Sequence, residues 1–172
     1  MTVRTLIVGG VTVPLHAGYE ITQNYEPLQA RTVLRYASGT AVLRETWTGK
    51  IATEIRGRGA VPAGLQSVDY SAAVEIACVG HRAVTSTSNV ITLPAARRTD
   101  TGSTPYARAW VGDDWQTTNV TVVTNTATCD VVASATAYQV VYFPKISCFA
   151  QPPQEDYTQN TGFGWVLRAE EV

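Results

Sequence analysis

Residues able to do chemistry are few in this chain. His16 and His81 are its two histidines, the side chains that ordinarily change charge near neutral pH. Neither belongs to a Gly-x-Ser-x-Gly elbow, a Gly-x-x-x-x-Gly-Lys phosphate loop or a histidine pair at metal-ligand spacing. A general base needs hydrogen-bond reach to its substrate, which spacing alone does not supply, so no catalytic residue is assigned and the chain is read as non-enzymatic, with no cofactor. Cys78-Val-Gly-His81 has a local ligand spacing. A structural zinc site takes four ligands, however, and Cys129 and Cys148 would have to converge on it from far along the chain. The cysteines are therefore read as small buried hydrophobes and no metal is expected. Asp113-Asp114 before Trp115, and Asp156-Tyr157, have the form of a carboxylate pair or a sugar-stacking platform; the simpler reading is turns beside core aromatics.

Arginine supplies the remaining candidates. Arg56-Gly-Arg-Gly59 and Arg97-Arg98 are the two basic clusters. Arginines in Gly-rich loops can grip RNA or phosphate, but a formal charge of -1 gives no long-range attraction to a polyanion. Nucleic-acid binding is not expected. Of the 13 basic residues only Lys50 and Lys145 are lysines. Interfaces are enriched in arginine and depleted in lysine, which makes Arg56, Arg58, Arg97 and Arg98 the candidate subunit interface.

The elements that must position these residues are strands. The chain has 172 residues, of which 16% are charged against roughly 25% in soluble domains generally. It carries 24 threonines and 22 valines, and β-branched side chains fit a pleated, half-buried surface. Leucine is sparse and glycines fall at turn spacings, which excludes a βαβ nucleotide fold. No run approaches the roughly 20 apolar residues of a membrane span. The apolar stretch from Leu6 to Leu15 is broken by Gly9-Gly10 and Pro14, unlike a secretory leader. No membrane insertion is expected. Three cysteines at long spacings argue against a disulfide framework and suit folding in a cytoplasm.

Strand by strand, Thr5–Val8 and Val11–Val13 around Gly9-Gly10 predict a tight hairpin. Tyr19–Tyr25 alternates and stops before Pro27. Thr32–Tyr36 and Ala41–Trp47 form a second hairpin, with Lys50–Ile55 as a third meander strand. Arg56 to Gly64, rich in glycine and proline, reads as a projecting loop. Ala73–Val79 and Val90–Leu93 are strands around a polar Thr85–Asn89 segment. Ala95 to Pro105 is a turn-rich linker, and four or five short strands follow between Tyr106 and Phe149, with Tyr138–Phe143 patterned like a late strand of an immunoglobulin-like or fibronectin-like sandwich. A polar Gln151–Gly162 linker precedes a last strand, Phe163–Glu170, with no local partner. That orphan predicts a body of residues 1–103 plus 150–172 interrupted by a module at 104–149.

Leu6-Ile-Val-Gly-Gly-Val-Thr-Val-Pro14, Tyr25-Glu-Pro-Leu28, Gly49-Lys-Ile51, Gly57-Arg-Gly59, Pro62-Ala-Gly-Leu65 and Leu93-Pro-Ala-Ala-Arg-Arg98 together resemble small tail-tip proteins of long-tailed bacteriophages, most nearly distal tail or minor tail proteins. The resemblance implies an all-β chain in which an antiparallel split-barrel body forms a ring, hexameric by preference and trimeric as the other option, with a small immunoglobulin-like module facing outward and little helix. It implies a structural virion protein of the tail tip, assembled in the host cytoplasm, whose partners are its own copies, the tail tube and the tail-tip hub or baseplate proteins. The family has no catalytic residues to carry over. The chain is too short for the galectin-like domain of larger distal tail proteins. The competing expectation is a carbohydrate-binding β-sandwich that adsorbs to a host surface through exposed tryptophan among Trp47, Trp110, Trp115 and Trp165.

Overall fold

A computed structural model of the chain describes residues 4–172. It is all-β, mostly antiparallel, with no closed barrel and two single-turn 3-10 helices at Leu15–Ala17 and Leu65–Ser67. The strands in chain order are β1 Ile7–Val8, β2 Val11–Thr12, β3 Glu20–Arg35, β4 Ala41–Gly59, β5 Val74–Ala77, β6 Arg82–Ser86, β7 Val90–Thr92, β8 Tyr106–Val111, β9 Asp114–Thr118, β10 Val120–Val123, β11 Thr126–Cys129, β12 Ala135–Tyr142, β13 Lys145–Ala150, β14 Gln154–Thr158 and β15 Gly162–Glu171. They build two compact units, one of residues 4–7 and 76–146, the other of 8–75 and 147–172. The inserted unit thus begins at Ile76, ahead of the 95–105 linker where composition suggests a boundary. The reason is β6, too polar to read as a strand, which pairs with β12 from Tyr142↔Arg82 to Tyr138↔Ser86.

The inserted unit is a pair of sheets, β10-β11-β7 and β6-β12-β8-β9. Alternation along each strand sends Ile91, Ala127 and Cys129 from the first sheet, with Leu93 just beyond β7, and Ala107, Ala109, Tyr138 and Val140 from the second into one buried cluster. The tyrosine expected in the late strand, Tyr138, is buried in this cluster, its hydroxyl accepting the backbone N–H of Val132 at 3.2 Å.

The other unit carries the sheet ordered β2-β1-β5-β13-β15-β4-β3, with β14 also paired to β15; the unit boundaries fall inside β1, β5 and β13. The Gly9-Gly10 hairpin forms as its pattern indicates, both glycines at positive φ. The closing strand does have a local partner, because the adjacent β14 pairs with it from Gln154↔Val166 to Thr158↔Gly162; on its other edge lies the expected distant partner β4, with Val166 opposite Arg56 and Leu167 opposite Ile55. Three further expectations are corrected. β3 does not end at Pro27 but continues to Arg35, because β3 is the edge of the sheet, where a missing N–H leaves no ladder bond unmade. β4 absorbs what reads as two strands and the start of a loop. Gly49, at φ +88°, takes up a bulge between the Leu28↔Lys50 and Ala30↔Trp47 pairs, so the strand bends without ending. The Gln151–Gly162 linker likewise contains β14, exposed along its whole length.

Candidate assembly surface

The core of the second unit decides where Arg56 and Arg58 point. Ile51, Thr53, Ile55, Gly57 and Gly59 alternate inward along β4, opposite Trp165, Leu167 and Ala169 of β15. The glycines of Arg56-Gly-Arg-Gly59 are there for close approach rather than for loop freedom. A Cβ on Gly57 would sit 2.2 Å from Cζ2 of Trp165, and one on Gly59 would sit 2.1 Å from the carbonyl oxygen of His16. Trp165 is 1% exposed and its indole N–H donates to the Ala17 carbonyl at 2.8 Å. This segment is therefore strand, not projecting loop, and its arginines alternate outward to solvent.

The outward face reads in rows across the strands. Register places Glu20, Arg58, Gly164 and Asp156 in one row; Thr22, Arg56, Val166 and Gln154 in the next; then Asn24, Glu54 and Arg168; then Glu26, Ala52, Glu170 and Phe149. Arg168 and Arg56 both bond Glu54, each at 2.7 Å, and hold its carboxyl below the ordinary value. Such exposed pairs are screened by water and mainly fix geometry. Arg58 lines an open cleft of about 650 Å³ with Tyr19, Tyr157 and Phe163. The last two rings pack at 4.8 Å.

Arg97 and Arg98 lie in the other unit and do different work. The Arg97 guanidinium donates to the carbonyls of Pro94 and Thr124 and to Oδ1 of Asn125, pinning the linker to the β10–β11 turn. Arg98 is 2% exposed. Its donors go to the carbonyls of Thr5, Ala77 and Cys78, and to both oxygens of Asp100 at 2.9 and 2.7 Å. Arg98 thus sits inside its unit, every contact made within the chain. That bonding is the first cause that lowers the Asp100 pKa.

The catalytic and metal candidates are dispersed. Nδ1 of His16 shares a 2.7 Å hydrogen bond with the Tyr19 hydroxyl, and His81 meets Phe143 edge-on. Asp114 accepts the backbone N–H of Trp115. No group of three or more potential metal ligands occurs among the described residues. Cys78, Cys129 and Cys148 are buried and form no disulfide among the described residues.

What residue patterns did not flag is the outer half of the β3–β4 ribbon, where every residue from Arg31 to Lys50 is exposed. Ladder pairs Val33↔Leu43 on one face and Leu34↔Val42 on the other put apolar side chains on both sides. Tyr36 and Trp47 add to them, Trp47 being 47% exposed. The signal was present: adjacent apolar residues, Val33-Leu34 and Val42-Leu43, must point to opposite faces of a strand. The other three tryptophans are buried or half-buried. No protein-family model, curated protein sequence or solved structure matches the chain.

Proposed function

We propose that this chain is a structural, self-assembling virion protein of a phage tail tip, forming a ring that joins the tail tube to the tip or baseplate proteins. The observation that carries the reading is the β3–β4 arm. A two-stranded ribbon is marginal in water, and this one exposes Val33, Leu34, Tyr36, Val42, Leu43 and Trp47 at about half their area. Full burial of such a side chain is worth about 1.5–3 kcal/mol, so covering the six would contribute about 5–9 kcal/mol. That driving force is unused within the chain and suits association with further copies and with neighbouring tail proteins. The long edge strand β3 offers unpaired backbone groups for the same purpose. On this reading the open sheet of the second unit is the half of a split barrel that neighbours complete, and the inserted sandwich is the outward immunoglobulin-like part. Arg56 and Arg58 lie on the face available to a neighbour. The reading assigns no enzymatic role and the virion tail tip as the place of work.

One observation favours the second reading, a carbohydrate-binding module: the 650 Å³ cleft presents the exposed rings of Tyr19 and Tyr157 beside Arg58, an aromatic floor with polar edges. Sedimentation velocity and negative-stain imaging of the purified chain, alone and with tail tubes, separate the two. Rings, or co-assembly with tubes, are expected. A chain that stays monomeric, ignores tubes and binds glycans would overturn the structural reading.

A further inference from the structure

We infer that the arm of one copy of this chain docks in a groove on the sheet of another copy, a groove walled by Glu26 and Glu170. The inference rests on the self-assembly reading and adds the acceptor site and the charge pattern that selects it. Ala52 stands between Glu26 and Glu170 in one cross-strand row. With strands about 5 Å apart, the two glutamate backbones are about 10 Å apart across a residue with almost no side chain. The result is an open groove of about 580 Å³, lined also by Phe149, which stands opposite Glu170 and is 60% exposed.

The charges of the groove are unbalanced. Glu54 is satisfied by Arg56 and Arg168 and forms a fixed wall. Glu171 accepts the backbone N–H of Ile51. Glu26 and Glu170 have no cation partner among the described residues. Four glutamates and one arginine line the groove.

The arm carries the opposite imbalance. Between Arg31 and Trp47 it has three arginines, Arg31, Arg35 and Arg44, against Glu45 alone. Arg35 donates to its own turn at Gly39, and none of the three has a carboxylate partner among the described residues. Arg31 and Arg35 share the Val33 face, with Glu45 opposite Arg31, and Arg44 lies on the Leu34 face, so each face of the arm offers net positive charge beside apolar side chains to an acidic groove that Phe149 also lines. Basic ribbon and acidic groove do not meet within one copy, where every residue from Arg31 to Lys50 is exposed and none of them lines the groove. The arm leaves the sheet at the Leu28↔Lys50 pair, directly beyond the Glu26↔Ala52 row, and its ladder runs outward to Arg35↔Ala41. Donor and acceptor are different patches of one chain, so their contact is head-to-tail, the type that closes into a ring when the rotation permits.

The test uses the full chain. Sedimentation velocity across concentration, from about 50 to about 500 mM salt, compares the wild type with R31E/R35E/R44E, with E26K/E170K and with the combination of all five. Each one-sided reversal is expected to weaken association about tenfold or more, and the combination to recover most of it. All five positions are exposed, and an unchanged near-ultraviolet circular dichroism spectrum checks that each variant folds. If both one-sided variants associate like the wild type, or the combination is no better than either, the groove is not the acceptor while self-assembly stands. If the wild type neither self-associates nor joins tail tubes, the assembly reading itself fails and the docking inference with it.

Discussion

Gly57→Ala tests why the Arg56-Gly-Arg-Gly59 segment is a strand. The substitution adds one methyl group at a position whose φ lies outside the left-handed region, so the backbone tolerates it. The methyl would stand 2.2 Å from Cζ2 and 2.6 Å from Nε1 of Trp165, whereas carbon atoms in contact stay about 3.5–4.0 Å apart. The indole therefore has to move by more than an ångström in a fully packed site. Overpacking of this kind costs about 1–3 kcal/mol. Displacing the ring also takes its N–H from the Ala17 carbonyl, leaving a buried donor unpaired at about 1–3 kcal/mol more. The total is about 2–6 kcal/mol. For a chain of 172 residues each kcal/mol moves the melting temperature by about 2–4 °C, so a fall of at least about 4 °C is expected. Thermal unfolding followed by circular dichroism and by tryptophan emission measures it. A drop under about 3 °C with unchanged emission would refute the reasoning, because the glycine would then not be making room for the indole. Trp165→Phe should shrink the cost of Gly57→Ala, since the two side chains act as one packing unit.

Arg98→Met leaves the carbonyls of Thr5, Ala77 and Cys78 without their donor and is expected to cost about 2–5 kcal/mol in chemical denaturation; a loss below about 1 kcal/mol would show the clasp to be dispensable. Asp100 titrates below its ordinary 3.8 because Arg98 hydrogen-bonds its carboxylate. A lowered folded value means that its stabilisation is complete above the ordinary carboxylate range and is lost as pH falls through the folded value. Asp100→Asn should therefore flatten the stability loss below about pH 4, and an acid limb as steep as that of the wild type counts against the assignment. Cys78, Cys129 and Cys148 are each at most 1% exposed, and burial, then the charge of Asp130, raises the Cys129 thiol pKa. A thiol reagent should label none of the three until the chain unfolds, with prompt labelling of any one as the contrary result.

Much of the fold is legible residue by residue. The Gly9-Gly10 hairpin, the strands around Ile91 and Val140 and the closing Phe163–Glu170 strand follow from alternation and from turn chemistry that acts over two or three residues. Errors came where a local stop signal was overruled from a distance. Pro27 reads as a terminator, yet costs nothing on an edge. Gly57 and Gly59 read as loop residues, yet are small because Trp165 and the His16–Ala17 turn press on them from 100 residues or more, and 40 or more, away in the chain. Arg98 reads as a surface cation beside Arg97 in a polar linker; only three carbonyls from two separate segments make its burial possible.

The amino-acid sequence by itself determined the all-β class, the absence of a recognisable catalytic or nucleotide motif and the preference for arginine over lysine, because these depend on composition and on side-chain shape. The tertiary structure decided which faces are left uncovered. Val33, Leu34, Val42 and Leu43 have the character of core residues, and Glu26 and Glu170 are separated by most of the chain. Whether an apolar residue is core or contact surface depends on what the rest of the chain brings against it. Here no described residue covers the arm, while register aligns Glu26 and Glu170 across Ala52.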